Sequence, residues 1–526
     1  MRIAGAVMRR YSARRTTLFV VLGSLAAVTV PFTAYGSSAL SPAVYDPRTD
    51  GGSLSFIAQV VGAQTLWARG ITGKGVDVAV IDTGVSPVAG LSQVGKVIDG
   101  PDLSFDSQNP AFEHVDGYGH GTMMASIIAG SDVTDPSNSG CATCLTTSTY
   151  SDTTKFVGIA PGSRIVNVKT GASDGAADVS QVIAAIDWVV QHRNDHGLNI
   201  RVLNLSYGTD SVQPASIDPL SFAVEAAWRS GIVVVVSAGN DGKATDSLAD
   251  PAYNPTVLAV GALEDNSTLT LKGDSVPAFS QRGRNGRGID VVVPATHVVG
   301  LRVPGSVVDT TFTTGKVGTR FQRGSGTSEA AAVVSGVAAL LVETYPTATP
   351  DQIKAMITST ARQIGSGNSK SWRFAAGKGV VDASAAGSFA TMPTVPGTSW
   401  FATGIGTLEG ARGTTHLSSN GVELSGEIDS RGSAWDGAAW SKKAASGTAW
   451  NGGVWNGVRW SSDTWTGIRW TSAVWAGNDW SGASWAGVRW SDIAWDGIRW
   501  SGAGWDGVRW SGASWDGVRW SSSSWN

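Results

Sequence analysis

Short apolar runs recur between residues 53 and 390. Val76-Asp77-Val78-Ala79-Val80-Ile81 ends in Asp82-Thr83-Gly84, and similar runs stand at Arg164–Lys169, Arg201–Leu205 and Ile232–Val236. Runs this short and this apolar are those of strands buried on both faces of a parallel sheet. Between them the apolar spacing turns helical, over Val179–His192 and Ser221–Ser230. Strand alternating with helix predicts an α/β fold with a doubly wound parallel sheet. Such sheets hold their sites beyond the C-terminal ends of the strands, where Asp82 falls.

Other polar residues stand where elements begin or end. Gly326-Thr327-Ser328 runs directly into Glu329-Ala330-Ala331-Ala332 and an Ala/Val/Leu stretch to Leu341. Ser328 is therefore predicted at a helix N-terminus, with backbone N–H groups and the positive helix end beside its hydroxyl. Asp116-Gly117-Tyr118-Gly119-His120-Gly121-Thr122 precedes the helix-like Met123–Ala129, its glycines leaving the imidazole of His120 free. In Val236-Ser237-Ala238-Gly239-Asn240-Asp241 a strand runs into small residues and an amide. Singly, these are a capping serine, a loop histidine and a turn asparagine. Together with Asp82 they fall in the order Asp…His…Ser, with a side-chain amide between the last two.

The strings Ala79–Val85, Gly119-His120-Gly121-Thr122, Ser237-Ala238-Gly239-Asn240 and Gly326-Thr327-Ser328 resemble the subtilisin-like serine protease family. Gly158-Ile159-Ala160-Pro161-Gly162, Val202-Leu203-Asn204-Leu205-Ser206-Tyr207-Gly208 and Leu258-Ala259-Val260-Gly261-Ala262 extend the resemblance over about residues 53–390. It implies peptide-bond hydrolysis through an acyl-enzyme. Ser328 would be the nucleophile, His120 its base and Asp82 the group orienting the imidazole. Asn240 and the Ser328 N–H would donate to the oxyanion. Ser206, Tyr207 and Gly208, with Ser237, Ala238 and Gly239, would flank the substrate peptide. The chemistry requires no cofactor. Many relatives bind calcium, but no dense Asp/Asn cluster assigns a metal site here.

Three features depart from the family pattern. Glu329 follows the nucleophile where an apolar residue such as Met is usual. An ionised carboxylate there weakens the field at the oxyanion unless it points away, pairs with Arg320 or Arg323, or is protonated. Ala332-Val333 replaces a common Pro-His, a change that helix propensity makes harmless. The segment 37–52 leaves no room for a long prosegment, so the enzyme is expected to fold without one or not to be a zymogen.

Composition changes the picture at the two ends. Arg2, Arg9, Arg10, Arg14 and Arg15 precede the apolar run Leu18–Val30, and Ala34-Tyr35-Gly36 offers small residues for cleavage, so 1–36 reads as an export signal. No later stretch is long and apolar enough to be expected to span a membrane, and the location predicted is extracellular or at the cell surface. Cys141-Ala142-Thr143-Cys144 sits in a Ser/Thr/Asp/Gly-rich loop and fits a local disulfide. With a net charge of −3 and 15% charged residues, nothing suggests a nucleic-acid footprint, and no nucleic-acid partner is expected.

At the other end, residues 391–430 read as a linker or spacer. Of 23 tryptophans, five precede residue 430; the rest follow a ten-residue unit repeated nine times from Trp435 to about Ser524, with Trp525 starting a tenth. Glycine holds the third place throughout, Ala445 alone breaks the Trp series, and Arg recurs at 459, 469, 489, 499, 509 and 519. A five-residue spacing sprays rings around a helix, and glycine opposes helix, so a β-rich region over 431–526 is expected. The rings either form the core of the repeat or present a face to glycan, cell wall or protein. Two further readings stay open: a catalytically impaired surface protein on a protease scaffold, and an adhesin acting through its tail.

Overall fold

The computed structural model describes residues 45–108, 111–133, 155–242, 247–283, 287–364, 370–396, 399–414, 416–419, 422–430 and 432–450, and then residue pairs in short strands up to 520. The segment 1–36 expected to be an export signal, Cys141 and Cys144, and most of the decapeptide units lie outside the described residues.

Two short helices, α1 (Leu54–Val60) and α2 (Ala63–Trp67), lead into β1 (Asp77–Asp82). There follow β2 (Val97–Asp102), α3 (His120–Ala129), β3 (Arg164–Lys169), α4 (Val179–His192), β4 (Ile200–Leu205) and the two-residue β5 (Tyr207–Gly208). Next come α5 (Pro219–Arg229), β6 (Val233–Ser237), β7 (Leu258–Leu263) and β8 (Val291–Pro294). β9 (Val298–Leu301), β10 (Lys316–Val317) and β11 (Phe321–Gly324) make an antiparallel ribbon, with the single-turn α6 (Val307–Thr311) between β9 and β10, ahead of the long α7 (Thr327–Thr344). The helices α8 (Pro350–Thr360), α9 (Lys370–Ala376) and α10 (Ala383–Ala386) close the domain.

Seven strands form one parallel sheet in the order β2-β3-β1-β4-β6-β7-β8. Every residue of β1, β6 and β7 is buried, as strands covered on both faces must be. Helices α3 and α7 pack together on the sheet, and α4 and α5 form a second packed pair. The expected α/β architecture is thus present. The strand order reverses at β1, between β3 and β4, and Asp82 is its last residue, at the switch point. β3 and α4 have the expected limits; α5 starts earlier than the periodicity implied, because Asp218 accepts from Ser221 N–H (3.0 Å) and Pro219 opens the first turn. α7 is long and apolar enough to cross a membrane, but 89% of it is buried inside the protein, as a core helix.

The expected linker is instead docked on the second helix pair. Helix α11 (Leu408–Arg412) buries Leu408 and Ala411, and the Arg412 guanidinium, fully buried, donates to Asp178 (2.7 Å), the N-cap of α4. The buried Glu225 of α5 accepts the N–H groups of Phe401 (2.9 Å) and Ala402 (3.0 Å). After the short β12 (Ser418–Ser419) and β13 (Val422–Glu423), the first decapeptide unit is not a strand but helix α12 (Gly437–Ala445), capped by Asp436. Its alanines and lysines favour helix, and it ends at the one position where the Trp series breaks. Trp435 and Trp440 are buried, so in this unit the rings are core, and Trp450 of the next unit is buried too. Later units contribute only the two-residue strands β14 (Val454–Trp455), β15 (Val458–Arg459), β16 (Val474–Trp475), β17 (Asn478–Asp479), β18 (Trp485–Ala486), β19 (Trp495–Asp496), β20 (Arg509–Trp510) and β21 (Arg519–Trp520) among the described residues.

Trp440 meets Phe222 edge-on, and its indole N–H donates to the buried Asp187 carboxylate at 2.8 Å. Trp440→Phe keeps most of the ring and removes this donor. It is expected to cost about 1.5–3 kcal/mol, the range for a bond to a charged group, read as a lowered urea midpoint. An unchanged midpoint contradicts the docking.

Candidate active site

Each site residue is delivered by the end of an element. Asp82 ends the central strand. His120 is the first residue of α3, after Gly119, whose φ of 110° only glycine adopts freely. Ser328 is the second residue of α7; Gly326 holds the N-cap position, so the serine is not a capping residue. Asn240 follows β6 by way of Gly239 (φ 104°), where a Cβ would lie 1.8 Å from Gln281 Oε1.

The His120 Nδ1 and Asp82 Oδ1 atoms are 2.8 Å apart, both side chains 1% exposed. An ionised carboxylate only accepts, so the bond puts the proton on Nδ1 and leaves Nε2 as the basic nitrogen. Burial by itself pushes the imidazole down, but the Asp82 carboxylate, with Glu329 and Asp116 beyond it, outweighs burial and raises His120 above its ordinary range. Burial also pushes the Asp82 carboxyl up, an effect that His120 partly offsets.

Sequence reasoning missed the scaffold that holds this pair. The buried Asp116 accepts from Gly119 N–H (2.6 Å) and Thr122 N–H (2.8 Å), closing the first turn of α3. Thr83, beside Asp82, donates its hydroxyl to Asp116 (2.8 Å) and accepts Gly121 N–H (2.9 Å), tying the strand end to the helix start. An acceptor residue just ahead of a helix start was the available signal.

Across the cleft, Thr327 N–H and the Thr327 hydroxyl both donate to Asn240 Oδ1, each at 3.0 Å. The hydroxyl in turn accepts Gly239 N–H at 3.1 Å. This fixes which end of the amide is which: the oxygen is held, and Nδ2 is buried with no hydrogen-bond partner among the described residues. Ser206 adjoins the serine, with Ser328 Oγ 3.5 Å from Ser206 O and Ser206 Oγ donating to Ser328 O at 3.3 Å. Tyr207 and Ala238 are buried. Gly208, Ser237, Gly239 and Asn240 line a cavity of about 220 Å³ together with Ala249, Tyr253 and other residues.

The cations expected beside Glu329 are bound to other carboxylates. Arg320 binds Asp132 through both terminal nitrogens (3.0 and 2.7 Å), and Arg323 binds Asp50. Glu329 is fully buried in the first turn of α7, and its charge acts on His120, which puts the starts of α3 and α7 side by side. Among the described residues no group of three or more His, Cys, Asp or Glu side chains is gathered as a metal site, so no residue is assigned to calcium.

The profile of the subtilase family matches residues 73–379 of the chain. The chain is 34% identical over 293 residues to a protein named serine protease AprX from Bacillus subtilis (strain 168), covering 55% of this chain and 61% of that relative. It is 30% identical over 330 residues to subtilisin DY from Bacillus licheniformis, covering 62% of this chain and 96% of the relative. Subtilisin BL from Lederbergia lenta is 30% identical over 318 residues, with 60% and 93% covered.

Proposed function

The chain belongs to the subtilase family of serine endopeptidases, and we propose that it is exported and cleaves protein or peptide substrates through an acyl-enzyme formed on Ser328. His120 takes the serine proton at Nε2 and returns it to the leaving amine. Asp82 keeps the imidazole in that tautomer and stabilises the imidazolium. Asn240 Nδ2 and the Ser328 N–H receive the oxyanion. The observation that carries this reading is the Asn240 amide. Its oxygen is held by Thr327, next to the serine, so a buried donor is left for a charge that exists only during the reaction.

Export is supported by the arginines ahead of Leu18–Val30. The recurrence of Trp and Arg after residue 450 supports an additional contact with cell wall or glycan through the repeats. The test of the catalytic reading is labelling of the intact chain by a serine-reactive fluorophosphonate, with label recovered on the peptide containing Ser328. A folded chain that refuses the probe overturns it and favours the impaired scaffold.

The position of Glu329 gives a pH prediction. The acid limb of kcat/KM reports the proton on the free enzyme's His120–Asp82 pair, and activity is lost as pH falls through it. A negative charge beside the imidazole favours imidazolium and so holds this limb high. Glu329→Gln is expected to move the limb to lower pH while the plateau at high pH does not fall, because a charge opposing the oxyanion is also removed. A limb that stays put in the pH profile refutes the electrostatic link.

A further inference from the structure

The last repeat of the chain reaches the cleft. Arg519 and Trp520 form β21, which pairs antiparallel with β5, Arg519 opposite Gly208 and Trp520 opposite Tyr207. The other described repeat strands pair among themselves, β14 with β15, β16 with β17 and β19 with β20, except β18, which joins β12 of the docked spacer. Among the described residues β21 is the repeat strand seated on the catalytic domain.

The edge it occupies is a particular one. β5 follows β4 after Ser206 but is not a member of the seven-stranded sheet. Ser206 stands against Ser328, and Gly208 lines the cavity beside Asn240. The Tyr207 side chain is buried and Gly208 has none, so this edge offers a visitor main chain rather than side chains. That is how an extended peptide is taken up by strand addition. The register also sets a direction: passing from Arg519 to Trp520, the tail moves from Gly208 to Tyr207, towards Ser206 and the nucleophile.

We propose that the Arg519–Trp520 strand occupies the substrate-pairing edge of β5, so that the last repeat is a tethered, reversible competitor of peptide substrates. The proposal rests on reading the cleft as a protease site. A two-residue ladder is weak when free, but a tethered segment is present at an effective concentration on the order of millimolar. A strand of comparable intrinsic affinity then holds the edge for much of the time. Competition of this kind raises the apparent KM and leaves kcat alone.

The test uses the full chain. Trp520→Pro puts into β21 a residue whose fixed φ and ring strands avoid; Trp510→Pro makes the same change in β20, which pairs with β19 rather than with the catalytic domain. On a fluorogenic peptide, Trp520→Pro is expected to lower the apparent KM about 2-fold at unchanged kcat, and Trp510→Pro to leave both as they are. A synthetic peptide of residues 511–526 is expected to inhibit the Trp520→Pro chain competitively at millimolar concentration, and the same peptide with proline at its tryptophan 520 position not to. Equal KM in the native and Trp520→Pro chains, or no inhibition by the added peptide, overturns the proposal while the protease reading stands. A native chain and variants that neither hydrolyse peptide nor take the fluorophosphonate overturn both.

Discussion

Ser328→Ala is expected to abolish fluorophosphonate labelling and to lower peptide hydrolysis by about 10⁶, the size of the corresponding loss in subtilisin, while leaving the fold intact. The two halves of this expectation have different physical origins. The chemical half follows from removing the one atom that forms the acyl bond, a loss that neither His120 nor Asn240 can replace. The structural half follows from the serine's place in α7. Gly326 holds the N-cap position, so the hydroxyl is not the cap of the helix. Alanine is the better helix former, and the Ser328 carbonyl that accepts from Ser206 Oγ is kept. The urea midpoint is therefore expected to stay within about 0.5 kcal/mol of the native chain. Labelling that persists in the variant places the nucleophile elsewhere. Lost labelling together with a collapsed midpoint assigns Ser328 a structural role instead.

What the sequence disclosed, and what it concealed, divides along physical lines. β3 and α4 are legible to the residue because apolar composition and length alone specify them. The positions of His120 and Asn240 are legible because glycines with positive φ beside them mark backbone that other residues avoid. β2 is not legible: Val97–Asp102 carries a glycine, a proline and two aspartates, and it is a strand because β3 pairs with it. Docking of residues 399–450 depends on single long-range partners, Arg412 with Asp178 and Trp440 with Asp187, which no local pattern encodes. Glu329 shows the same limit at the site. Its neighbours in sequence, Arg320 and Arg323, are engaged by Asp132 and Asp50, and the group it acts on is 209 positions away (329 − 120).

The Asn240→Ala variant tests the part of the mechanism that geometry supports most directly. In the native chain Asn240 Oδ1 takes two bonds from Thr327, and Nδ2 is buried without an acceptor. An unmatched buried donor costs about 1–3 kcal/mol in the resting protein. That cost is recovered when a negative oxygen forms beside it, already oriented and shielded from water. Because the recovery comes with the transition state, the loss is expected in kcat, by about 10²–10³, with KM changed by no more than about 3-fold. The magnitude is that of the corresponding subtilisin variant; the division between kcat and KM follows from the geometry here. Fluorophosphonate labelling, which also passes through a charged tetrahedral oxygen, should slow in parallel. Asn240→Asp gives the sharper comparison. It keeps the acceptor that Thr327 holds and puts a carboxylate oxygen where the donor was, so hydrolysis should fall below that of the alanine variant. An aspartate variant more active than the alanine one means that Nδ2 is not the donor, and the oxyanion then has to be sought on another group.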